Sequence, residues 1–340
     1  MQVNNNIDFS QLLSSRKYNP EFTPPPDATA FRVQGEPVGN LGSFIVFSGL
    51  PKAGKSRFFM AAIGSAITKR EIFTMTLTPP KERPRIAIFD TESSQSDFYK
   101  NIDQLKNFAG VNRLPDNIDA YCTRQDEPHT QIKLINQYCN QCPETSVLII
   151  DGLLDLVMNY NDETESRQLI NWLKKLTTEK NILVMSVLHT GKDGTQRLGH
   201  LGANTDRWAQ STLSVRKEAN ENNPQKSKYI LEAKFLRSSA GFTPVEIEYN
   251  ETAANWVMIN GGEVQSKNHW KFYTQSKHAE KIELLFMADS MLSYDRAIER
   301  LKEVEHRGTN YAKEYFKYLK ENELITQNLN GLWFNSKNLF

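Results

Sequence analysis

From Phe44 onward, short apolar runs alternate with longer stretches in which apolar residues return every three or four positions. Runs of the first kind read as buried strands and stretches of the second kind as amphipathic helices. The strands predicted are Phe44 to Ser48, Arg85 to Asp90, Ile118 to Tyr121, Val147 to Asp151 and Ile182 to Leu188. Helices such as Lys55 to Thr68, Asp97 to Phe108 and Glu163 to Thr178 lie between them. Strand alternating with helix is the order of a parallel sheet with covering helices. The later runs, Ser211 to Arg216, Tyr229 to Phe235, Val245 to Tyr249 and Trp256 to Ile259, follow one another without helices and predict an antiparallel extension of that sheet. Around residues 261–267 the strand pattern stops. Three helices follow, His278 to Met287, Tyr294 to Glu305 and Asn310 to Asn322, and then Leu324 to Phe334 with Asn330-Gly331 between apolar flanks, a strong hairpin signal. Before the first strand, Ile7, Phe9, Leu12 and Leu13 have near-helical spacing and Pro24, Pro25 and Pro26 form a stiff connector. The organisation expected is an N-terminal arm and Pro-rich connector over residues 1–40, an α/β domain over 41–265 and a small C-terminal domain over 266–340.

Composition narrows the class. A length of 340 residues suits two domains of about 150 residues each, and 39% hydrophobic with 24% charged residues is globular. No apolar run approaches the roughly 18 residues of a membrane span, and the polar N-terminus lacks a signal sequence, so a cytoplasmic protein without a membrane partner is expected. Cys122, Cys139 and Cys142 have no second Cys or His pair at zinc spacing, which leaves no metal cage. With 41 basic and 40 acidic residues the net charge is +1, which excludes a chain-wide positive field; any nucleic-acid contact is local.

Gly49-Leu50-Pro51-Lys52-Ala53-Gly54-Lys55-Ser56 fits G-x-x-x-x-G-K-[ST] between a strand and a helix. Backbone N–H groups of such a loop and the helix N-terminus surround phosphates, Lys55 reaches their outer oxygens, and the Ser56 hydroxyl ligates Mg²⁺. Gly49 to Ser56 and the following Arg57 are the candidate nucleotide-binding residues, with ATP and Mg²⁺ as expected cofactors; Lys52 also fits a solvent-facing position. A strand-terminal carboxylate should complete the metal site. Asp151 and Asp90 both qualify.

The run Asp90-Thr91-Glu92 resembles the D-x-E segment of RecA-like ATPases. That resemblance implies a RecA-like P-loop sheet in which Glu92 positions the attacking water, Asp151 is the metal-side aspartate and His189 is the polar sensor of the γ-phosphate; taken alone, His189 also fits a turn residue ending a strand. The glycine-rich stretch Gly191 to Gly202, with Lys192, Arg197 and His200, stands where related hexamers grip single-stranded DNA, and it equally fits a solvated loop. Lys234-Phe235-Leu236-Arg237 resembles the K-x-R-x-G segment that reaches a neighbour's γ-phosphate, with one extra residue. On a continuous strand that residue sets Lys234 and Arg237 on opposite faces, and Arg237 is the favoured arginine finger. With the Pro-rich approach, the motif arrangement is similar to RepA-like hexameric replicative helicase ATPases of mobile genetic elements. The resemblance implies an ATP-hydrolysing, DNA-associated motor that works as a homo-oligomer, a hexamer in its leading version.

Three helices and a hairpin have the order of a winged helix. Lys313, Lys317 and Lys320 share a face that suits the phosphates of duplex DNA, while Glu314, Glu321 and Glu323 suit a protein contact or a structural role. The alternative to a motor is a non-translocating DNA-binding ATPase switch in which the winged helix selects the site.

Overall fold

The structure is a computed structural model and describes residues 9–21, 28–191, 199–219, 227–250, 255–259, 270, 275–305 and 308–336. A short helix α1 (Phe9–Arg16) leaves Phe9 and Leu13 exposed. Then come β1 (Thr29–Val33), β2 (Glu36–Asn40), β3 (Phe44–Gly49), α2 (Lys55–Thr68), β4 (Met75–Leu77), β5 (Arg85–Asp90), α3 (Gln95–Ala109), β6 (Ile118–Cys122), α4 (Pro128–Gln141), β7 (Thr145–Asp151), α5 (Glu163–Lys180), β8 (Leu183–His189), α6 (Gly199–Trp208), β9 (Ser211–Glu218), β10 (Lys228–Leu236), β11 (Val245–Asn250) and β12 (Asn255–Met258). Among the described residues nine strands form one sheet in the order β12-β11-β10-β9-β3-β8-β7-β5-β6.

The two-residue period of the strands builds both cores. Ile45, Phe47, Ile86, Ile88, Val147 and Ile149 face α2 and α3, whereas Val46, Ala87, Phe89, Leu148 and Ile150 face α4, α5 and α6. Helix boundaries follow local chemistry. Ser94 caps α3 by accepting the Asp97 N–H, Asp162 caps α5 by accepting the Glu165 N–H, and Gly110 ends α3 in the left-handed region.

Two expectations change. The strand predicted at Ser211 to Arg216 joins the sheet parallel to β3, not antiparallel, because α6 supplies the crossover from β8; β10, β11 and β12 form the antiparallel extension. The first turn of α6 takes in Gly199 to Gly202, part of the stretch read as a loop, and residues 192–198 lie outside the described residues. Second, β1 and β2 fall in the segment assigned to an arm, yet they pair with each other, β1 pairs on its other side with β4, and Phe31, Val33 and Val38 enter the core beside α2. The arm ends before Ala28, and Pro24 to Pro26 lie outside the described residues.

The C-terminal unit contains α7 (Gln275–Phe286), α8 (Tyr294–Glu305), α9 (Thr309–Glu321) and a hairpin of β13 (Ile325–Gln327) and β14 (Trp333–Asn335). It has its own core of Leu285, Leu301, Tyr315, Leu319 and Trp333. Leu292, between α7 and α8, exchanges two main-chain hydrogen bonds with Trp333, at 2.9 and 2.8 Å. The expected boundary at 265/266 lies outside the described residues. Among the described residues no helix is long and apolar enough to cross a membrane.

Candidate active site

The loop between β3 and α2 takes its shape from residues that tolerate unusual backbone. Gly54 has φ +88°, and a Cβ there would stand 2.5 Å from Cδ1 of Tyr229. At Gly49 a Cβ would stand 2.0 Å from the Val215 carbonyl oxygen, so β9 approaches β3 closely only because position 49 has no side chain. Lys55 opens α2 and is buried, its Nζ donating to the carbonyls of Gly49 at 3.0 Å and Leu50 at 2.8 Å. Burial lowers its pKa to about 8, against the opposing pull of Asp151 and Glu92.

Parallel pairing of β5 with β7 sets Asp90 opposite Asp151, both buried. Their surroundings separate them. Asp151 accepts the Ser56 hydroxyl at 2.9 Å, and its carboxyl is pushed up to about 7, first by burial and then by the charge of Asp90. Asp90 accepts the N–H groups of Glu92 at 3.1 Å and Ser93 at 2.7 Å through Oδ1, turning the chain so that Glu92 emerges half exposed; its Oδ2 is buried without a hydrogen-bond partner. The hydroxyl of Ser56 and the carboxylate of Asp151 are hard oxygen donors beside crowded negative charge, a set that fits Mg²⁺. Among the described residues no group of three or more His, Cys, Asp and Glu could hold a metal, so Mg²⁺ would be held by Ser56, Asp151 and nucleotide phosphates together.

His189, ending β8, joins the lysine to the glutamate. Its Nδ1 lies 3.1 Å from Lys55 Nζ and its Nε2 lies 2.9 Å from Glu92 Oε2. An ammonium only donates, so Nδ1 accepts and the proton sits on Nε2, which donates to Glu92. This bond is the main reason that the Glu92 carboxyl lies below the usual range, as a carboxylate. Lys55, Ser56, Glu92, Asp151 and His189 thus line one cleft of about 540 Å³, together with Lys52, Arg57 and Arg124.

Arg57 contributes in an unforeseen way. Its guanidinium lies in the corner formed by two near-perpendicular rings, 4.3 Å from the Tyr229 centroid and 4.1 Å from that of Trp256, and its Nε is buried without a hydrogen-bond partner. Asn101, Gln104 and Arg124, also in the cleft, carried no motif signal. Leu50 and Pro51 are exposed at the tip of the loop, and Lys52 is exposed with φ 62°. A second hollow of about 600 Å³, at the other end of α2 between Ile67, Leu77 and Ile118, contains none of the motif residues.

Lys234 and Arg237 are not brought to this cleft. The end of β10 pairs Leu236 with Ser211, and Ser211 pairs with Ile45 near the start of β3, whereas the phosphate loop leaves the far end of β3 at Gly49. The extra residue is absorbed by a register shift between Ala233 and Phe235 that leaves Lys234 bulged, so opposite faces on an unbroken strand do not describe this segment. The Arg237 guanidinium donates to the Arg207 carbonyl at 2.5 Å. Lys192 and Arg197 lie outside the described residues, and His200 is exposed in the first turn of α6.

The strand, glycine loop, helix and strand-end carboxylates on a mostly parallel sheet define a P-loop nucleotide-binding domain. Residues 27–195 match the family model described as AAA domain, and on the fold, the loop and this match the domain is a P-loop ATPase. No curated protein matches the chain.

Proposed function

We propose that the protein is an oligomeric, ATP-hydrolysing motor acting on DNA, of the replicative-helicase type carried by mobile elements. The hydrolytic part rests on the cleft. Lys55 and the loop amides hold phosphates, Glu92 orients the attacking water as its hydrogen-bond acceptor, and His189 reports on the outer phosphate through its bonds to Lys55 and Glu92. Bound Mg²⁺ would neutralise phosphate charge beside Ser56 and Asp151.

One observation carries the oligomeric part. Arg237 stands at the opposite end of the sheet from the phosphate loop, where it cannot serve its own cleft; to act on a phosphate it must exchange its bond to the Arg207 carbonyl for the cleft of another copy. DNA binding by the Gly191 to Gly202 stretch and by the C-terminal unit is supported by chemistry alone. In that unit Lys313, Lys317 and Lys320 are exposed along α9, among Glu314 and Glu321, and the helix-helix-helix-hairpin order with its Leu292–Trp333 bridge is consistent with a winged helix.

The test is ATPase rate per subunit against protein concentration, with and without single-stranded DNA. A rate that rises with concentration and with DNA is expected. Concentration-independent hydrolysis would exclude a site completed between copies, and stimulation without strand separation would favour the switch.

A further inference from the structure

Thr91, between Asp90 and Glu92, is buried, and no motif gives it a role. Its N–H donates to the Asp151 carbonyl at 2.8 Å. Around its hydroxyl lie the carbonyl oxygens of Asp151 at 3.0 Å and Gly152 at 2.9 Å and Oδ2 of Asp155 at 2.9 Å, while the Gly152 N–H donates to it at 3.0 Å. Asp155 belongs to a single 3₁₀ turn, Leu153–Leu156, directly after β7. A Cβ at Gly152 would stand 3.3 Å from Asp155 Oδ2, 3.6 Å from Glu92 Oε2 and 3.9 Å from Thr91 Oγ1, so the three side chains converge on the bare face of that glycine.

We propose that Thr91 and Asp155 form a positioning latch for Glu92: the hydroxyl-to-carboxylate bond across the ends of β5 and β7 holds the peptide that carries Glu92 and ties it to the turn after β7. A water-orienting carboxylate must keep one position while its neighbours exchange ligands, and small misplacements are costly. Glu92 is half exposed, so little packing fixes it. His189 holds its tip, the Asp90 turn holds its N–H, and the latch holds the residue before it.

This inference rests on the reading of Glu92 as the water-orienting group. The test compares Thr91→Val, Asp155→Ala, their combination, and Thr91→Ser, measuring turnover and the affinity for a fluorescent ATP analogue in both the wild-type and the Glu92→Gln backgrounds. Thr91→Val and Asp155→Ala should each lower kcat roughly 10- to 100-fold at nearly constant affinity, and Thr91→Ser, which keeps the hydroxyl, should restore most of it. The combination should lose no more than Thr91→Val alone, because that variant already removes the bond that Asp155→Ala breaks, along with the acceptor of the Gly152 N–H. In the Glu92→Gln background the residual single-turnover rate should not fall further. A fall there by the same factor, or a parallel loss of affinity, would overturn the latch. Asp155→Ala removes the bond from its less buried side and decides the matter if Thr91→Val does not fold. If Glu92→Gln hydrolyses ATP like the wild type, the reading of Glu92 fails; if it is inactive while Thr91→Val matches the wild type, only the latch fails.

Discussion

Lys55 and Glu92 sit at the two ends of one hydrogen-bonded chain through His189, yet the proposed function gives them separable tasks. Lys55 is a buried cation that faces carbonyl oxygens and the strand-end acids, and its removal deletes charge from the phosphate site. Lys55→Ala should weaken ATP binding by about 10- to 100-fold, the worth of one or two charged hydrogen bonds. Glu92→Gln keeps the size and part of the hydrogen bonding but loses proton acceptance, so it should lower kcat by roughly 100- to 10,000-fold with ATP affinity retained. Titration with a fluorescent nucleotide alongside steady-state hydrolysis separates the two. Equal losses of affinity would remove the distinction.

At the scale of elements, the first turn of α2 is tied to the antiparallel edge of the sheet by one side chain. Arg57 reaches from the helix that follows the phosphate loop to Tyr229 on β10 and Trp256 on β12, and these rings also meet edge to face at 5.2 Å. Each cation–ring contact contributes about 0.5–1 kcal/mol, more where water is excluded. Arg57→Ala should therefore destabilise the domain by roughly 1–2 kcal/mol, read as a lower urea midpoint with an unchanged slope. Arg57→Lys should recover little, because an ammonium lacks the flat, weakly hydrated face that a guanidinium lays against a ring. A midpoint equal to the wild type would mean that the cation–ring contacts add nothing to stability.

On the scale of the whole molecule, the length of the sheet separates Arg237 from the cleft. The phosphate loop, Glu92 and His189 gather at the ends of β3, β5 and β8, and Arg237 lies at the other end of the neighbouring strands. In the proposed oligomer Arg237 acts on a second copy. Arg237→Ala should lose turnover and keep ATP affinity, and mixing Arg237→Ala subunits with Glu92→Gln subunits should restore part of the activity, because interfaces pairing an intact arginine with an intact glutamate arise only in the mixture. A mixture as inactive as its parents would dismiss a trans-acting arginine.

Hydrophobic period and local backbone chemistry were enough to determine the strand-helix alternation, the exact span of α2, the phosphate loop and the hairpin at Asn330-Gly331, because each is decided by residues close together in the chain. Asp151 and His189 were legible as polar residues ending apolar strands, and their roles came with the family resemblance. The crossover through α6 was not legible, since glycines and scattered basic groups mask its start, and neither was the packing of β1 and β2 into the core from a segment that reads as an arm. Only the tertiary structure could decide which strand-end acid meets Ser56, that Thr91 meets Asp155, that Arg57 packs against both Tyr229 and Trp256, and that Arg237 stands far from Lys55. These depend on strand order and register, which set the ends of distant segments side by side or apart, and no local pattern encodes which neighbour a strand will take.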